Sequence, residues 1–170
     1  MNRNRVITRA AWLCLLVLLF NEAQAGEGNT SRLKLRNSTG IELLGNSFLY
    51  SFYYQRMLNS SVGLDAGLAM YGGGGNGSST FIAFIPAGAK VYLIPKNGSL
   101  YLTGGGVLLT ATTDLGPIDN DNSASTLYGY AGLGFEYRAE SGFTFRFTAY
   151  NIFIEGSYFI WPGLTFGYAF

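Results

Sequence analysis

The chain has 170 residues, of which 12% are charged, 16% aromatic and 24 are glycine, with no histidine and one cysteine. An ordinary water-exposed domain carries about twice that charged fraction, and a net charge of +1 with no clustered basic face excludes a nucleic-acid footprint. The absence of histidine removes Ser-His-Asp and Cys-His nucleophilic schemes, His-ligated zinc and the commonest general base at neutral pH, so the expectation is a non-catalytic protein with no metal and no cofactor.

Met1 to Ala25 reads as a removable export signal. Arg3, Arg5 and Arg9 form the basic n-region, Ala10 to Phe20 the apolar run, and Ala23-Gln-Ala25 the cleavage site. Cys14 lies inside the apolar run, without the small residues of a lipoprotein box. Cleavage after Ala25 leaves 145 residues, with eight basic and nine acidic side chains and no cysteine for a disulfide. No later apolar run approaches the roughly 18–20 residues of a spanning helix.

From there the chain divides into alternating runs separated by turn residues. Leu33 to Leu44 is the first, with Lys34, Arg36 and Glu42 opposite its leucines and isoleucine, and Gly45-Asn46 a tight turn. Ser47 to Leu58 places Phe48, Tyr50, Phe52 and Tyr54 on one face. Val62 to Tyr71 sets Asp65 and two glycines against an apolar face, and Gly72 to Ser79 reads as a glycine-rich loop. Phe81 to Ile94 carries Lys90 on its polar side, and Pro86 within it predicts a bulge or local break. Ser99 to Thr112 has a phase obscured by Gly104-Gly-Gly106. Thr113 to Ala124 is the longest loop, acidic, without the glycine and distant glutamate of a calcium-binding EF-hand. Ser125 to Arg138 and Phe143 to Ile154 alternate again, with Glu136 and Arg146 on their polar sides and glycines such as Gly132 and Gly134 leaving inward room for an aromatic ring. Glu155 to Ile160 reads as a loop.

The last ten residues, Trp161 to Phe170, put Leu164, Phe166, Tyr168 and Phe170 on one face and Thr165, Gly167 and Ala169 on the other. A chain that ends on an aromatic, with no polar tail, suits a strand whose greasy face meets lipid. Eight runs of about 10–14 residues, with short turns at Asn59, Pro95 and Ala139 on one side and longer loops on the other, predict an all-β, eight-stranded antiparallel up-and-down transmembrane barrel. Tyr54, Tyr101, Tyr137, Phe143, Tyr168 and Phe170 are expected to form an aromatic girdle at the membrane interface near the turn side.

On these residues the whole mature chain resembles the small eight-stranded outer-membrane barrels, the OmpA transmembrane domain and OmpX among them. Gly40-Ile-Glu-Leu-Leu-Gly-Asn46, with Tyr50-Ser51, Tyr54 and Arg56, and the ending Trp161 to Phe170 resemble a set of small exported barrels. That resemblance implies a bacterial outer-membrane location, lipid as the surrounding partner and insertion by the barrel-assembly machinery through the C-terminal strand. A closed barrel with no free edge is expected to be a monomer.

By phase, the inward set is Arg36, Glu42, Asp65, Lys90, Glu136 and Arg146, three positive and three negative. An eight-stranded barrel is just wide enough for side chains to fill it, and charges buried there must pair. A paired network that plugs the barrel is therefore the expected role of these residues. The functional reading is an integral barrel with a structural or surface-interaction role. The alternatives are a narrow channel or carrier for a small or apolar molecule, through the lumen or a lateral gap near Pro86, and a soluble lipocalin-like binder.

Overall fold

A computed structural model describes residues 31–75, 78–94, 96–114 and 122–170. The export signal and its cleavage site lie outside them, as does 115–121 of the acidic loop. Eight strands follow one another around a closed antiparallel barrel: β1 (Asn37–Leu44), β2 (Tyr50–Met57), β3 (Val62–Gly75), β4 (Ser78–Tyr92), β5 (Gly98–Asp114), β6 (Asn122–Arg138), β7 (Phe143–Ile154) and β8 (Ser157–Ala169). β8 returns to β1, with Ser38 opposite Ala169 and Leu44 opposite Gly163. The terminal residue completes the seam, because Asn37 and Phe170 exchange backbone bonds of 3.0 and 2.8 Å. Both chain ends of the barrel and the turns at 58–61, 93–97 and 139–142 share one end, the terminus end. The connections at 45–49 and 155–156 lie at the other, the loop end, together with the paired ends of β3 and β4 at Gly75 and Ser78 and of β5 and β6 at Thr113 and Asn122.

Period-2 alternation decides which side chains face outward. Phe52, Leu64, Leu68, Ile85, Leu102, Leu133, Phe147 and Phe166 are all exposed on the outer wall, while Ser51, Gln55, Lys90, Glu136, Arg146 and Thr165 are buried inside. The barrel is thus apolar outside and polar within over its terminus-end half.

Several local features depart from the sequence reading. The start of the first run is a helical turn, α1 (Ser31–Lys34), and extended structure begins only at Asn37. The Gly72 to Ser79 stretch is mostly strand, because β3 and β4 pair as far as Gly75 opposite Ser78. Glu155 to Ile160 is not a loop: Glu155 and Gly156, with φ of 49° and 82°, make a two-residue turn, and β8 begins at Ser157. Pro162 within that strand is tolerated because β8 has no β1 partner beyond Gly163. Pro86 interrupts the β3–β4 ladder, where pairing skips from Ala66 opposite Ala87 to Ala69 opposite Phe84, yet the register is unchanged. The result is a break without a bulge. The Pro86 ring packs beside Gly67 of β3, 2.9 Å from where a Cβ on that glycine would sit.

β1 and β2 are the shortest strands, at eight residues each. β3 continues past Leu68 without a β2 partner. Side chains replace the missing ladder. The Tyr50 N–H donates to the Tyr71 hydroxyl at 3.1 Å, that hydroxyl lies 2.8 and 2.9 Å from the Ser47 and Tyr50 carbonyls, and the Tyr50 hydroxyl donates to the Met70 carbonyl at 2.6 Å.

Candidate functional site

The interior is built in layers, each set by strand parity. At the terminus end the organising group is Glu136, which β6 points inward. Its Oε1 lies 3.2 Å from an Arg32 guanidinium nitrogen and 3.3 Å from Arg138 Nε, and its Oε2 receives Arg146 Nε and the Tyr92 hydroxyl, the latter at 2.6 Å. Gln55 Oε1 accepts from Arg138 at 2.9 Å and Arg146 at 2.6 Å, while Gln55 Nε2 donates to the Tyr92 oxygen at 3.0 Å. Ser38 Oγ accepts from Arg146 at 3.2 Å. The guanidiniums of Arg32 and Arg146 lie 4.4 and 4.5 Å over the Tyr92 and Tyr53 rings, contacts that strengthen when desolvated. This layer leaves almost every polar atom bonded, the condition for burying ions without losing the fold.

Above it, tyrosines lie across glycines. Tyr53 stands opposite Gly40, Gly40 opposite Gly167, and Gly167 opposite Thr144, so the ring crosses two bare backbones to reach the Thr144 hydroxyl at 3.3 Å. Tyr101 likewise crosses Gly134 to bond Thr148. A Cβ on Gly134 would come 2.6 Å from the Tyr101 hydroxyl, so glycine is required for the ring to lie flat on the wall. Gly134 therefore does leave room for a cross-strand aromatic, whereas at Gly132 the nearest groups are the Ala149 carbonyl and the Thr103 and Thr148 methyls.

The next layer holds Lys90, 2.8 Å from Asp65, and Glu42, whose Oε1 accepts from the Tyr150 hydroxyl at 2.7 Å. Together with Ser51, Asn46 and Thr165 these groups line a polar cavity of about 20 Å³, room for about one water molecule.

The loop-end half is closed differently. The β1–β2 connection is a 3-10 turn, Gly45–Ser47, folded into the barrel with all three residues buried. The Tyr128 hydroxyl donates to the Asn46 carbonyl. Phe48, expected on the outer face of the second run, instead points inward and packs on Phe84, Tyr128, Phe159 and Trp161 at ring separations of 5.8–6.2 Å. Its φ of 71° and ψ of −60° are those of a strained γ-turn. Leu44, with φ of 61°, is the second non-glycine residue held at positive φ in this connection.

Of the six charges assigned inward by phase, Glu42, Asp65, Lys90, Glu136 and Arg146 lie inside the barrel. Arg36 does not. It is exposed and donates to the Leu33 carbonyl at 3.4 Å, because strand parity cannot be extended back through a helical turn. Arg32 occupies the lumen in its stead, carried there by α1. Arg138, fully buried, shares the parity of Glu136, and that parity was the signal by which sequence reasoning could have found it. Nothing local marks Arg32. Among the described residues the interior thus holds Arg32, Lys90, Arg138 and Arg146 against Glu42, Asp65 and Glu136, an excess of one positive charge in place of the expected balance. Of the six girdle aromatics, Tyr54, Tyr137, Phe143, Tyr168 and Phe170 are exposed near the terminus end, at 45–57%. Tyr101 is fully buried in the lumen, the opposite face of β5 from the one expected, a phase the glycine triplet concealed.

No protein-family model matches the chain, and no curated protein matches it. Among solved structures it is similar to the N-terminal β-barrel domain of Pseudomonas aeruginosa OprF, at 17% identity over 79% of this chain and 98% of that one, with a TM-score of 0.58. It is also similar to Ail, the attachment invasion locus protein of Yersinia pestis, at 15% identity over 79% of this chain and 93% of that one, with a TM-score of 0.45. The fold is that of the small eight-stranded outer-membrane barrels.

Proposed function

We propose that this chain is an integral, plugged β-barrel of the bacterial outer membrane with a structural or surface-interaction role and no catalysis. One observation carries the reading: the polarity of the wall is inverted. Phe52, Leu127 and Ile160 are 58, 73 and 75% exposed on the outside, while Glu136, Arg138 and Arg32 are fully buried within. Water-soluble proteins rarely expose apolar surface on that scale, whereas a lipid-facing band requires it. A soluble lipocalin-like binder would carry the reverse pattern, with an apolar cavity inside and a charged exterior. The fold likeness supports the same reading.

In this account the signal is removed after Ala25 on export, the barrel-assembly machinery inserts the barrel through β8, and the protein works as a monomer. The filled lumen argues against a channel. Envelope fractionation with boiled and unboiled gel mobility tests the proposal. Outer-membrane recovery with faster migration before boiling is expected. Recovery in the soluble periplasmic fraction, with no boiling shift, would overturn it.

A further inference from the structure

The charges of the outer surface sort along the barrel axis. At the loop end Glu155 is an exposed acid, and no lysine or arginine stands there among the described residues. The terminus end carries Lys34, Arg36, Arg56 and Lys96, all exposed, against Glu140 as the exposed acid among the described residues. Three of these cations are gathered on the β1–β2 rim. Arg56 stands opposite Asn37, and the Met57 N–H donates to the Arg36 carbonyl at 2.8 Å, so the two arginines occupy successive rungs where the β1–β2 ladder ends. Lys34 lies two residues earlier, at the end of α1.

The contrast with the interior is informative. Arg32, Lys90, Arg138 and Arg146 each have a carboxylate within 3.3 Å. Among the described residues, none of Lys34, Arg36 and Arg56 has an ion-pair partner. One pair of residues inward from Arg56 runs an outward-facing row in which Tyr54 and Tyr168 flank Thr39 and Phe143 stands beside Tyr168. The Tyr54 hydroxyl bonds Asn37 at 2.8 Å, tying that row to the cationic rim. Two residues of strand rise about 6.8 Å, so the cations sit a few ångströms beyond the aromatic row, at headgroup depth where the aromatics mark the acyl boundary.

We propose that Lys34, Arg36 and Arg56 form a binding site for the phosphate headgroup of an anionic phospholipid in the leaflet at the terminus end. The inference rests on the membrane reading above. The occupant follows from charge and depth. Guanidinium forks suit phosphate oxygens, an anionic leaflet surface attracts each added cation, and the four exposed cations of the terminus end, where Glu155 is the exposed charge described at the loop end, make the terminus end the one that favours anionic lipid.

The test uses the mature barrel in nanodiscs of phosphatidylcholine mixed with phosphatidylglycerol, with the lipids that stay bound on release counted by native mass spectrometry. Phosphatidylglycerol is expected above its bulk fraction. The triple variant Lys34→Gln, Arg36→Gln, Arg56→Gln should abolish that enrichment and bring the retained lipid to the bulk ratio, while Lys96→Gln and Glu155→Gln leave it unchanged. Arg56→Gln alone, a milder change, should reduce it partially. Retention at the bulk ratio by the parent, or enrichment that survives the triple variant, overturns the proposal. Boiling-dependent mobility is recorded for every sample. A parent that fails to insert and shows no mobility shift sinks the membrane reading itself, a result distinct from a folded barrel without lipid preference.

Discussion

At the level of single residues, Glu136 bears the heaviest electrostatic demand in the molecule. Three guanidiniums and a phenol converge on its two oxygens in a site with no solvent exposure. Removing one partner of a buried ionic network leaves the others uncompensated, at about 3–5 kcal/mol. Glu136→Gln keeps the shape and deletes the charge, so it should destabilise the barrel by about that amount, read as a lower urea midpoint at unchanged slope. Raising the ionic strength should not reproduce the loss, because buried pairs are screened far less than exposed ones. A variant within about 0.5 kcal/mol of the parent would show that the arginines find other acceptors.

The element with the least local support is the β1–β2 connection. Its residues gain their place from tertiary contacts: Tyr128 on the Asn46 carbonyl, Tyr71 on the Ser47 carbonyl, and four rings around Phe48. The backbone strain at Phe48 gives a sharp expectation. Phe48→Ala and Phe48→Gly both delete the ring, and both should lose several kcal/mol of packing. At φ of 71° only the alanine keeps the strain, so the glycine variant should be the more stable of the two by about 1–3 kcal/mol. Elsewhere in a strand the order would be reversed. Paired urea titrations decide it, and an alanine variant as stable as the glycine one would mean the connection relaxes once the ring is gone.

On the scale of the whole molecule, the lumen is closed twice. Phe48 and its ring neighbours fill the loop-end half, and the arginine layer around Glu136 fills the terminus-end half, with a cavity of about 20 Å³ between them. Two closures in series mean that opening one leaves the other shut. The parent barrel in a planar bilayer should therefore carry no steady current, and neither Phe48→Gly nor Arg146→Ala alone should raise it above baseline. Current through Phe48→Gly would show that the arginine layer does not seal.

The outward-facing residues are legible in the amino-acid order alone, because a period of 2 is a local property of an extended chain. Phe52, Leu68, Leu133, Phe147 and Phe166 fall on the outer wall as their runs require, and their number and spacing imply a barrel of eight strands. Lys90, Glu136 and Arg146 follow from the same count. What alternation could not supply are the contents of the lumen that depend on partners far away in the chain. Tyr101 turns inward because Gly134, on the neighbouring strand, clears space beneath its ring. Arg32 enters the barrel because α1 ends the extended geometry before β1, and Glu136, 104 residues on, receives it. Phe48 folds into the lumen against the preference of its own backbone, held by rings from β4, β6 and β8. The sequence by itself determined the wall, since each residue there answers to its immediate neighbours and to the medium outside. Only the tertiary structure decided the plug, since closing the barrel brings together side chains whose pairing no local pattern encodes.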